Sequence, residues 1–82
     1  MDNWETLYDG VNFLLVKTSY VDSIPDWVVP QIKRVYYSKG GSSVFLDKYW
    51  AIMGKHYEYR FYLLGQGGSS LIVQRKLRKG VK

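Results

Sequence analysis

The chain has 82 residues, a net charge of +5, one histidine and no cysteine. That length bounds it to one small domain, residues 1–82, near the size at which a single core only just outweighs chain entropy, and hydrophobic residues at 46% with aromatics at 17% are too many for a disordered chain. The missing cysteine excludes disulfide staples, thiolate zinc sites and cysteine nucleophiles, and suits a reducing compartment.

The charge is divided along the chain. Residues 1–30 carry Asp2, Glu5, Asp9, Asp22 and Asp26 against Lys17, whereas residues 31–82 carry eleven Lys and Arg against Asp47 and Glu58. An acidic third thus precedes a basic stretch (31–77) and a short basic tail (78–82). Such asymmetry points to a polyanionic partner for the basic part, or to pairing between the two parts. No basic start followed by a long apolar block marks a secretory signal. The apolar runs Phe13–Val16 and Tyr49–Met53 are too short to span a bilayer. The expectation is a soluble cytoplasmic protein with no membrane partner.

In chain order, Val11–Val21 is rich in β-branched and aromatic residues and predicts a first strand after the Asp9-Gly10 turn signal. Pro25 and Pro30 lie too close for a regular helix to run through both. The segment from Asp22 to Pro30 therefore predicts an ordered loop, with at most one helical turn from Pro25, whose Trp27, Val28 and Val29 fold back as a lid. A meander follows: strands at Ile32–Ser38, Ser43–Ile52, His56–Leu64 and Ser70–Leu77, with turns at Lys39–Ser42, Met53–Lys55 and Gly65–Ser69. An internal repeat supports it, since VYYSKGGSSVFLDK at Val35–Lys48 returns as FYLLGQGGSSLIVQRK at Phe61–Lys76, each an aromatic run entering a Gly-Gly-Ser-Ser corner. The fold class expected is mainly β: a five-stranded antiparallel meander closing into a small barrel of SH3-like or OB-like type. The competing architecture is an open sheet with one short helix across it, from Trp4–Tyr8 or Lys48–Met53.

Alternation separates two faces. Tyr57, Tyr59, Phe61, Leu63, Leu71, Val73 and Leu77 fall on the core side with Val35, Tyr37, Val44, Leu46 and Trp50. Arg34, Tyr36, Phe45, Tyr49, Arg60, Tyr62 and Lys76 fall outside. Basic residues interleaved with aromatics are what single-stranded nucleic acid needs: rings on which bases stack and cations for phosphates. Arg75, Lys76, Arg78 and Lys79 extend the charge into the tail as an arm for further phosphate contacts. The candidate binding set is Arg34, Tyr36, Tyr49, Arg60, Tyr62, Arg75, Lys76, Arg78 and Lys79, for single-stranded DNA or RNA. The same residue types also mark protein-binding hot spots, so docking of an acidic protein surface, as an accessory subunit or inhibitor of a larger enzyme, is the alternative. An open strand edge would also allow a homodimer.

Chemistry is sparse. His56 alone makes neither a metal site nor, beyond a pairing with Glu58, an acid-base pair. A metal-independent ribonuclease built around it is a third and distant reading. The glycine pairs open strands and lack the Gly-Lys-Ser/Thr ending of a phosphate-binding loop, so turn chemistry accounts for them. No cofactor, metal or catalytic residue is assigned.

Overall fold

The computed structural model describes residues 3–15, 23–40 and 45–78, with residues 15 and 45–47 described by their backbone. The elements are β1 (Glu5–Val11), a 3-10 turn (Phe13–Leu15), α1 (Val28–Ser38), β2 (Phe45–Met53), β3 (Tyr57–Gln66) and β4 (Ser70–Leu77). The described strands form one four-stranded antiparallel sheet in the order β1-β4-β3-β2. The sheet is open, with β1 and β2 as its edges, and α1 lies on one face. The mainly β class and the single short helix hold; the described residues contain four strands where five were expected, and their sheet does not close into a barrel.

The helix replaces the expected strand Ile32–Ser38. Val28, Ile32 and Tyr36 repeat every four residues and are all buried, the spacing of one helix face. The prolines fit this helix. Pro30 stands in its first turn, where backbone N–H groups have no intrahelical partner, and Pro25 lies before it, with its carbonyl accepting a 2.9 Å bond from the Val28 N–H. Gly40, at φ 102°, ends the helix in the left-handed conformation that glycine adopts without a Cβ penalty, its N–H donating to the Tyr37 carbonyl at 3.2 Å. The first strand is also displaced: β1 ends at Val11, where Val11–Val21 was to begin, and residues 16–22 lie outside the described set. Both segments proposed for the helix, Trp4–Tyr8 and Lys48–Met53, are largely strand. No helix among the described residues is long and apolar enough to cross a membrane.

The core lies between helix and sheet. Phe13, Ile24, Val28, Ile32 and Tyr36 meet Tyr59, Phe61, Leu63, Leu71 and Val73, the β3 and β4 residues that alternation assigns inward. Trp50 stacks on Phe61 at 5.7 Å between ring centroids, and Trp27 meets Tyr59 edge-on at 5.3 Å. Trp27 thus folds over the sheet as expected of the lid. It also explains Gly54: a Cβ there would come within 2.8 Å of the Tyr57 carbonyl oxygen and 3.0 Å of the Trp27 ring. Leu77 is a correction, being 51% exposed where β4 runs past the end of the core. Tyr37 and Val35 are corrected too, since on a helix they no longer share a strand face. Tyr37 is exposed and Val35 half-buried.

Helix and hairpin are locked at the β3–β4 turn. Gly65, Gly67 and Gly68 all have positive φ, which aims successive carbonyls away from the ladder. The oxygens of Gly67 and Gly68, and that of Ser69 after them, are satisfied from earlier in the chain. The Tyr36 hydroxyl donates to Gly67 at 3.2 Å, the Asn12 side-chain amide to Gly68 at 2.8 Å and the Asn12 backbone N–H to Ser69 at 2.9 Å. The other end of the Asn12 amide accepts from the Leu14 N–H at 3.0 Å. Asn12 is fully buried, and a buried polar group left without a partner costs about 1–3 kcal/mol. Asn12→Ala is therefore expected to lower unfolding free energy by about 1–3 kcal/mol, read as a lower urea midpoint at unchanged slope.

Candidate binding surface

A single short helix covers one face of the sheet, and no described element covers the other. The register decides what that second face carries. Tyr49 pairs with Tyr62, Tyr62 with Ile72, Arg60 with Gln74, Gln74 with Thr6, and Glu58 with Lys76. Their side chains alternate away from Phe61, Leu63, Leu71 and Val73, and so away from the core.

Arg60 is the centre of this face. Its guanidinium carbon lies 4.0 Å from the Trp4 ring centroid and 5.4 Å from that of Tyr62. Its Nε donates to the Gln74 side-chain oxygen at 2.7 Å, and the Gln74 amide passes the chain on to the Thr6 hydroxyl at 3.1 Å. A flexible cation is thereby fixed between two rings, and no described residue bonds its two terminal nitrogens. Lys76 stands on the other side, its Nζ 5.0 Å from the Trp4 centroid and 3.4 Å from Glu58. Tyr49 and Tyr62 form a tilted ring pair at 5.3 Å, with Tyr49 58% exposed.

Two hollows flank this centre. The larger, about 460 Å³, is lined by Lys48, Tyr49, Arg60, Tyr62, Leu64, Ile72 and Gln74. The smaller, about 210 Å³, has Trp4, Tyr49, Ala51, Met53, Glu58 and Arg60 among its walls. Both share Tyr49 and Arg60, so a flat group entering either one meets an aromatic ring and a cation together.

Of the nine residues expected to bind, Tyr49, Arg60, Tyr62 and Lys76 are brought together here. The others separate. Arg34 is exposed on α1, across the sheet, with its Nη1 3.4 Å from the Gln31 oxygen. Tyr36 is buried beneath the helix. Both errors follow from reading α1 as a strand. Arg75 alternates onto the helix side, bonding Glu5 at 2.8 Å with its guanidinium 4.3 Å from the Tyr57 ring centroid. The Glu5 carboxylate's hydrogen bond, the largest influence, holds the Arg75 pKa above its ordinary value. Arg78 turns to the β2–β3 turn, where its Nη1 donates to the Gly54 carbonyl at 2.9 Å. Lys79 lies outside the described residues. Trp4 was missed as a surface residue because the segment Trp4–Tyr8 was offered as a helix. A strand beginning at Glu5 opposite Arg75 sets it beside Lys76.

No protein-family model, curated protein or solved structure matches this chain. The two faces can be separated by stability alone. Trp4→Ala removes cation–π contacts worth about 0.5–1 kcal/mol each at exposed sites and leaves the fold intact. Phe61→Ala empties the core and costs about 3–5 kcal/mol, a difference that paired urea titrations resolve.

Proposed function

We propose that the chain is a non-enzymatic binding module whose open sheet face takes single-stranded nucleic acid. The observation that supports this reading is the cluster of Trp4, Tyr49 and Tyr62 around a fixed Arg60, with Lys76 beside it, on a face no described element covers. Unpaired bases splay onto aromatic rings set in a sheet, and each stacked base contributes about 1–3 kcal/mol. Arg60 and Lys76 neutralise backbone phosphates, which makes the affinity fall with salt. The larger hollow, about 460 Å³, is within the size of small-ligand sites, about 300–1,000 Å³. DNA and RNA share this chemistry.

The second reading is docking of an acidic protein surface on the same face. Leu64 and Ile72 in the lining of the larger hollow favour it, because apolar residues beside aromatics and an arginine are the composition of a protein hot spot.

Titration of labelled single-stranded and duplex oligonucleotides at two salt concentrations tests the proposal. Binding is expected to prefer single strands. Tyr62→Ala should weaken it by roughly five- to 150-fold, and Arg60→Gln should reduce the salt slope by about 0.7. Lys33→Gln and Arg34→Gln on the helix should leave it unchanged. Equal losses from the helix variants would assign binding to overall charge, and no binding at low salt would leave the protein-docking reading.

A further inference from the structure

The two edges of the sheet differ. Along β1 the register breaks between Thr6 and Tyr8, and exposed Glu5 and Asp9 stand on the strand. A bulge and charges of this kind blunt an edge against further pairing. Along β2 the register with β3 is unbroken from Phe45↔Gln66 to Met53↔Glu58. Two of the largest exposed hydrophobic side chains of the described residues, Tyr49 at 58% and Met53 at 64%, stand on it.

The direction of its backbone groups follows from one bond. The Gly54 N–H donates to the Tyr57 carbonyl at 2.9 Å, and hydrogen-bonded pairs alternate along an antiparallel ladder. Ile52, Trp50, Lys48 and Leu46 therefore aim their N–H and C=O at β3. The opposite ladder agrees: the Arg78 N–H donates to the His56 carbonyl, which leaves Tyr57, Tyr59, Phe61 and Leu63 facing β2. Phe45, Asp47, Tyr49, Ala51 and Met53 present their N–H and C=O groups to the outer edge, which no described strand pairs.

We propose that two copies of the chain join through β2, antiparallel about a two-fold axis at Tyr49, so that two four-stranded sheets fuse into one. Only a register centred on Tyr49 uses all five outward-facing residues: Tyr49 faces itself, Asp47 faces Ala51, and Phe45 faces Met53 of the second copy. Each pair exchanges two N–H···O=C bonds. Lys48 falls opposite the second copy's Trp50, a cation facing an indole. The Tyr62–Tyr49 pair, 5.3 Å between centroids, continues as a row of four tyrosines across the joint, and each copy completes the other's open face. The surface is self-complementary, as a two-fold interface requires. One strand edge lies at the small end of specific interfaces, about 1,200 Å² or less, the range of transient encounters. Because each copy carries +5, salt screens their repulsion and strengthens the dimer, the opposite of its effect on nucleic-acid binding.

Sedimentation velocity of the full chain, without nucleic acid, from micromolar to millimolar concentration and at low and high salt, tests this independently of what the open face binds. Ala51→Pro removes an N–H that the β2–β3 ladder does not use, and Tyr49→Lys places two ammonium groups on the axis. The expected result is a reversible dimer, tighter in salt, weakened at least tenfold by either variant while circular dichroism and the urea midpoint show the fold retained. If Ala51→Pro fails to fold, Tyr49→Lys decides. A monomer at every concentration, or a dimer indifferent to the folded variants, overturns the proposal.

Discussion

The constraint on which the rest depends is that the described part of the chain has one short helix for a four-stranded sheet. The helix covers one face by seating Val28, Ile32 and Tyr36 on Tyr59, Phe61, Leu63, Leu71 and Val73, and its place is fixed by Tyr36 and Asn12 bonding the glycine turn of the β3–β4 hairpin. The opposite face must then be compatible with water by its own composition. It meets that requirement with groups that are apolar in body and polar at the tip: two tyrosines, a tryptophan capped by two cations, an arginine held by a glutamine. Residues of this kind lie stably on a wet sheet and gain contact when a partner arrives.

The charge is placed with the same economy. Among the described residues, Glu5 of the acidic third enters β1 and pairs with Arg75 across the β1–β4 ladder, and Glu58 within the basic part pairs with Lys76. Arg60, between Trp4 and Tyr62, has no described carboxylate partner. The positive charge is therefore spread over helix and sheet, and what distinguishes the open face is the convergence of two cations, Arg60 and Lys76, on one ring, that of Trp4.

The faces of β3 and β4 were legible because alternation is a local property, and Phe61, Leu63, Leu71 and Val73 show it over successive residues. The bounds of β4 were read directly, since glycine and serine mark its start. The helix was not legible from the repeat. YYSKGGSS and FYLLGQGGSS share their corner, yet Tyr36–Ser38 end a helix where the second copy forms a hairpin, because the segment before Tyr36 carries apolar residues at helical spacing from Val28 and a proline placed where a helix begins. Reading Val28, Ile32 and Tyr36 as one stripe would have recovered it, and would have removed Arg34 and Tyr36 from the surface set. With that strand lost and no described strand pairing the outer edge of β2, the sheet is open. Trp4 carries no local signal of its own; its role comes from a cross-strand neighbour more than seventy residues away in sequence, Lys76.

The claim at the centre is that the uncovered face, and no other surface, meets the partner. The most direct measurement is a residue-resolved one: amide and side-chain resonances of the protein followed as a single-stranded oligonucleotide is added. The account predicts shifts at Tyr49, Arg60, Tyr62, Gln74, Lys76 and the Trp4 indole, with Lys33, Arg34 and Tyr37 on the outside of α1 unmoved. Shifts centred on α1, or spread evenly over every exposed lysine and arginine, would contradict it.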